Sequence, residues 1–130
     1  MKKKVLTVDD EYQVREIIAT MLQEHDYVPL QAKNGEVALK VIKEESPDLI
    51  ILDVLMPEKS GIKFYRELKN ADDLKGIPVI ICSGIARRTF IRSKDGHGRL
   101  GGEGLPQPEA YIEKPVKPAT LVKALKELLG

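Results

Sequence analysis

Apolar residues along this chain fall into two alternating patterns: short continuous runs, and longer stretches with helical spacing. Lys4 to Val8 is a short β-branched run. After a cluster of acids, Val14, Ile17, Ile18, Met21 and Leu22 recur at the intervals that put side chains on one helix face. Tyr27 to Ala32 reads as a second strand. Asn34 stands where an N-cap belongs, ahead of a helix carrying Val37, Ala38, Val41 and Ile42 inward and ended by Ser46-Pro47. Leu49-Ile50-Ile51-Leu52 is apolar without interruption, as expected of a central parallel strand buried on both faces, and it stops at Asp53. The loop Met56-Pro57-Glu58-Lys59-Ser60-Gly61 leads into a third helix with Ile62, Tyr65 and Leu68 on one side, and Ile77 to Cys82 forms a fourth strand closed by Ser83-Gly84. A further helix is expected from about Ile85 to Arg92, then an irregular glycine-rich segment over about 93–109. A short strand at Ala110 to Ile112 and a closing helix lined by Leu121, Val122, Leu125, Leu128 and Leu129 complete the pattern, with no output domain expected beyond it.

Strands that alternate with helices predict an α/β fold, a doubly wound parallel sheet of five strands with five helices distributed over both faces. The length of 130 residues suits one domain over 1–130, since a second core would need more chain. Twenty-one basic and twenty acidic side chains leave a net charge of +1, so no whole-molecule field favours a polyanion, and direct nucleic-acid binding is not expected. Arg87, Arg88, Arg92, Lys94 and Arg99 do cluster, but with Phe90 the one aromatic among them they read first as a solvated helix face. Cys82 is the single cysteine, which excludes an internal disulfide and points to a reducing, cytoplasmic setting. The apolar run after Met1 is too short for a signal peptide or a membrane span. His25 and His97 lack ligand spacing, and Cys82 is expected to pack as a small apolar residue.

In open parallel α/β sheets, sites form beyond the carboxyl ends of the strands, and here those ends carry the polar groups. Asp9 and Asp10 follow the first strand, Asp53 the third, Ser83 the fourth and Lys114 the fifth. Three carboxylates held together repel one another unless a cation neutralises them, which implies a divalent metal. With oxygen donors alone, Mg2+ suits the set best and Mn2+ can substitute. A carboxylate beside such an ion is a competent nucleophile towards phosphorus, with Lys114 and the Ser83 hydroxyl placed to meet phosphoryl oxygens. Each feature has a plainer reading taken alone: Asp9-Asp10-Glu11 as helix-capping acids, Asp53 as a turn residue, Tyr111 as half-buried packing. It is their joint placement at successive strand ends that favours a site.

These residues carry a family resemblance. Val8-Asp9-Asp10-Glu11, Leu52-Asp53-Val54-Leu55-Met56-Pro57 with Gly61 beyond, Ser83-Gly84 and Tyr111-Ile112-Glu113-Lys114-Pro115 resemble a response-regulator receiver domain of two-component signalling, of the chemotaxis-type single-domain kind, over essentially the whole chain. The resemblance implies the flavodoxin-like strand order 2-1-3-4-5 in a three-layer sandwich. It makes Asp53 the phosphoacceptor and Asp10 and Asp53 direct metal ligands, with Asp9 reached through water and the Leu55 backbone carbonyl a further ligand. It makes Ser83 and Lys114 the phosphate-sensing pair, Tyr111 an aromatic switch and the Lys114-Pro115 bond cis. A sensor histidine kinase or histidine phosphotransfer protein is the implied donor. An unidentified downstream protein is expected to read the face made by the 85–92 helix, the last strand and the closing helix. Apolar Leu55 and Ile85 beside the site predict slow loss of the phosphoryl group. The departure is length, for Ser83 and Lys114 stand 31 positions apart, more than is usual for the family. Two rival readings stand beside this one, a Mg2+-dependent phosphohydrolase with an aspartate nucleophile and a receiver fold used as a binding module without phosphorylation.

Overall fold

The protein is described by a computed structural model for residues 2–54, 60–84 and 107–130. Five strands form one sheet: β1 (Lys4–Val8), β2 (Val28–Ala32), β3 (Leu49–Leu52), β4 (Val79–Ser83) and β5 (Ala110–Glu113). All neighbours are parallel and the order is β2-β1-β3-β4-β5, as the resemblance implied. Among the described residues four helices surround it, α1 (Tyr12–Glu24), α2 (Gly35–Glu45), α3 (Ser60–Asn70) and α4 (Pro118–Leu129). The helix expected at 85–92 and the glycine-rich 93–109 segment fall mostly outside the described residues.

Alternation along the strands divides the core in two. Leu6, Val8, Ile50, Leu52, Val79 and Ile81 face one way and pack with Ala38 and Ile42 of α2 and Phe64, Tyr65 and Leu68 of α3. Val5, Leu49, Ile51, Ile80, Cys82 and Ile112 face the other way, against Ile18 and Leu22 of α1 and Leu121 and Leu125 of α4. The interior strands β3 and β4 are buried throughout, which explains their unbroken apolar sequences. Pro29 is tolerated in β2 because that strand is the sheet edge, where a missing N–H leaves no inner ladder incomplete.

β4 and β5 each run one residue further than expected, to Ser83 and Glu113, and two strand starts differ for local reasons. Tyr27 is not in β2, because its N–H returns 2.9 Å to the Leu22 carbonyl and closes the end of α1. Ile77 is not in β4, because its N–H donates to Leu74 across a turn at 3.0 Å, and Pro78 after it has no N–H to give a ladder. The Asn34 cap is as expected, its side-chain oxygen accepting from Val37 N at 2.9 Å.

Candidate functional site

The last rungs of the sheet ladder hold the polar residues that follow the strands. Asp9 N donates to Ala32 O at 3.1 Å, Asp53 N to Val8 O at 3.0 Å and Lys114 N to Ser83 O at 2.8 Å. Each residue is thus the first to leave the sheet while its own N–H is still bound to it, so the backbone beneath the site is tied to the sheet ladder. Asp9, Asp53 and Ser83 are buried, whereas Asp10 is exposed at the rim.

One carboxylate oxygen from each of Asp9, Asp10 and Asp53 falls within 4.8 Å of the others, a grouping that could hold a metal ion. The Lys114 ammonium meets the same group, 2.9 Å from Asp9 Oδ2 and 3.3 Å from Asp53 Oδ2, with Glu11 Oε1 at 3.9 Å. Asp9 Oδ1 accepts from Glu11 N at 2.9 Å. Burial alone pulls the Lys114 pKa down, but the hydrogen bond to Asp9 and the charges of Asp53 and Asp9 outweigh it and hold the ammonium above its ordinary value. The acids are not consumed as helix caps, for Glu11 is the N-cap of α1 and makes no side-chain cap bond.

At the end of β4, Ser83 is fully buried and its side chain hydrogen-bonds the Tyr111 hydroxyl. Burial pushes Tyr111 up to about 12, partly opposed by that hydrogen bond. The Lys114-Pro115 peptide bond is cis. Five side chains named from sequence, Asp9, Asp10, Asp53, Ser83 and Lys114, therefore stand together at the carboxyl edge of the sheet, with Tyr111 against Ser83. Leu55 and Ile85 lie outside the described residues, and so do the basic residues 87–99 and His97. Cys82 is buried in β4 as expected, and burial pushes its thiol up to about 12, which keeps it an unreactive thiol at neutral pH.

Two groups escaped the sequence reading. Arg15 of α1 donates through Nη1 to the Asp9 carbonyl at 2.7 Å and through Nε to Gln31 Oε1 at 3.0 Å. Lys69 of α3, nearly buried, pairs with Glu109 at 3.0 Å, and Glu109 also accepts from Val79 N at 2.7 Å. Both contacts join residues from different elements, and neither has a spacing that the sequence alone displays.

A doubly wound α/β domain with clustered carboxylates and a lysine at the carboxyl edge of its sheet is the class that fold and site define. The chain belongs to the response regulator receiver domain family, whose profile matches residues 5–98. The polar-differentiation response regulator DivK of Brucella anthropi is 32% identical over 130 residues, spanning 100% of this chain and 98% of that protein. Among solved structures, the signal receiver domain of a histidine kinase from Syntrophus aciditrophicus is 34% identical with a TM-score of 0.78, covering 98% of this chain and 89% of that one. The chemotaxis response regulator CheY4 of Vibrio cholerae is 26% identical with a TM-score of 0.79, covering 98% and 99%.

Proposed function

We propose that this receiver domain of a two-component system works by accepting a phosphoryl group on Asp53. The observation that carries the reading is the convergence of Asp9, Asp10 and Asp53 within 4.8 Å, with the Lys114 ammonium bridging two of them. The donor set is all oxygen, which fits Mg2+, with Mn2+ as a substitute; Asp9, Asp10 and Asp53 would hold it. When bound, such an ion supplies positive charge to oxygens on the transferred phosphorus.

The residues divide the remaining work. An Asp53 carboxylate oxygen attacks phosphorus of a phosphohistidine on a sensor kinase or phosphotransfer protein. An O–P bond forms, the P–N bond breaks, and the electron pair stays on the imidazole nitrogen, which then takes a proton from solvent. Lys114 keeps its proton throughout, because its carboxylate neighbours raise its pKa, and presents a fixed positive charge to the incoming phosphoryl oxygens. Ser83 trades its bond with Tyr111 for one to a phosphoryl oxygen, which couples Tyr111 to the state of Asp53. The phosphorylated conformer gains those contacts and the unphosphorylated one does not, so the population shifts, and a protein partner reads the surface around β5 and α4. The single cysteine, a free buried thiol, fits a reducing, cytoplasmic setting. Among the described residues no helix is long and apolar enough to cross a membrane.

The test is intact-mass measurement after incubation with acetyl phosphate and Mg2+. The native chain is expected to gain one phosphoryl mass, lost on removal of Mg2+ during the incubation, and Asp53→Asn to gain none. Equal labelling of Asp53→Asn, or no labelling of the native chain, ends the reading.

A further inference from the structure

Arg15 sits outside the carboxylate cluster yet holds the backbone on which the cluster is built. Its guanidinium makes two bonds in different directions, Nη1 to the Asp9 carbonyl at 2.7 Å and Nε to Gln31 Oε1 at 3.0 Å. Gln31 is fixed in turn, donating from Nε2 to Glu16 Oε2 at 2.7 Å. The Tyr12 ring lies 5.6 Å from the Arg15 guanidinium carbon and limits its movement on the exposed side. Residues from α1 and the edge strand β2 therefore combine to grip one peptide group of the β1–α1 connection.

That peptide links Asp9 to Asp10, two of the three acids. Asp9 is tied at its N–H to Ala32, at Oδ1 to Glu11 N and at Oδ2 to Lys114, so the carbonyl is the remaining group by which its backbone is oriented. Among the described residues the Asp10 side chain has no such tie: it is exposed, and the peptide before it sets where its Cα–Cβ bond points. A rotation of that peptide would move the Asp10 carboxylate away from the other two. Residues that orient metal ligands from outside commonly change metal affinity by about 10–100-fold when removed.

We infer that Arg15, supported by Gln31, is a positioning residue for divalent-cation binding: it locks the Asp9–Asp10 peptide so that three carboxylates meet at one point. The inference rests on the reading of that cluster as the cation site. Two opposing effects can be separated by choice of variant. The Arg15 charge by itself disfavours a cation nearby, so removing charge alone would tighten binding, whereas losing the two-pronged grip weakens it. Lysine keeps the charge but cannot make both bonds from a planar fork.

The experiment is a Mn2+ titration followed by electron paramagnetic resonance of the free ion, on the native chain, Arg15→Lys, Arg15→Ala and Gln31→Ala. Asn34→Ala serves as the control for lost stability, since it removes the cap of α2 and leaves the acid loop untouched. The expected result is a dissociation constant raised about tenfold in Arg15→Lys, raised also in Gln31→Ala, and unchanged in Asn34→Ala. Native-like binding by Arg15→Lys and Gln31→Ala overturns the positioning role while the cation site stands, and tighter binding by Arg15→Ala then reads the removed charge alone. A native chain that binds no Mn2+ removes the site itself, and the inference with it.

Discussion

Cys82 sits in the same strand as Ser83, on the opposite face, within electrostatic reach of Lys114, Asp9 and Asp53. Burial is the main cause that moves its pKa from an ordinary 9.0 to about 12; Lys114 pulls the other way, and the two aspartates add to the rise. The folded chain therefore keeps a proton between pH 9 and 12 that the unfolded chain has released. Unfolding then loses a proton, so stability is fully present below pH 9 and declines as pH rises towards the folded value. Native protein is expected to lose about 1 kcal/mol of stability to this group between pH 8 and pH 10, a loss missing from Cys82→Ala. Tyr111, raised from 10.0 to about 12, adds its own decline only above pH 10. Urea unfolding at intervals of half a pH unit measures both slopes, and parallel curves for native and Cys82→Ala would show that the thiol contributes none of the alkaline decline.

At the level of elements, the approach of α3 to the end of β3 is set by a missing side chain. A Cβ at Gly61 would lie 2.4 Å from the Asp53 carbonyl oxygen and 2.6 Å from Val54 Cα, both backbone atoms that cannot rotate aside. The first turn of α3 therefore rests directly on the Asp53–Val54 peptide. Gly61→Ala is expected to cost about 2–3 kcal/mol, in the range of an overpacked core, and to slow acetyl phosphate labelling because the Asp53 backbone must shift. Gly76→Ala, with nothing within 4 Å of its added carbon, should stay within about 0.5 kcal/mol of native. Equal stabilities for the two variants, read by urea unfolding, would show that α3 yields freely. The sequence reading found Gly61 through the motif that contains it but could not see what the glycine touches. Strands and helix faces were legible because burial imposes a period on neighbouring residues, as in Leu49–Leu52 and Val37 to Ile42. Strand ends were less so, since the turn at Ile77 and the helix closure at Tyr27 depend on carbonyls supplied by Leu74 and Leu22. The site acids and lysine were legible because each ends a strand. Arg15 and Lys69 were not, because their partners Gln31 and Glu109 are 16 and 40 positions away.

For the whole molecule, a net charge of +1 conceals a strongly uneven distribution, with three carboxylates converging where the sheet opens to solvent and one ammonium set against two of them. Lys114 bonds Asp9 and Asp53 directly, which leaves the exposed Asp10 as the acid whose charge adds repulsion without an ion-pair partner among the described residues. Two opposite effects of Asp10→Asn on the folding equilibrium follow. In EDTA the substitution relieves repulsion and is expected to raise stability by about 0.5–1 kcal/mol, as for close charges in a high-dielectric setting. In Mg2+ the order reverses, because a cation that binds only the folded chain stabilises it by mass action. At ten times the dissociation constant the native protein gains about 1.4 kcal/mol, or about 3–6 °C in melting temperature for a domain of this size, and Asp10→Asn gains little. Thermal melts of both proteins, with EDTA and across a Mg2+ series, supply the four comparisons. If Mg2+ raises both melting temperatures equally, the carboxylates do not act together on the ion, and the convergence of strand ends has no consequence for metal binding.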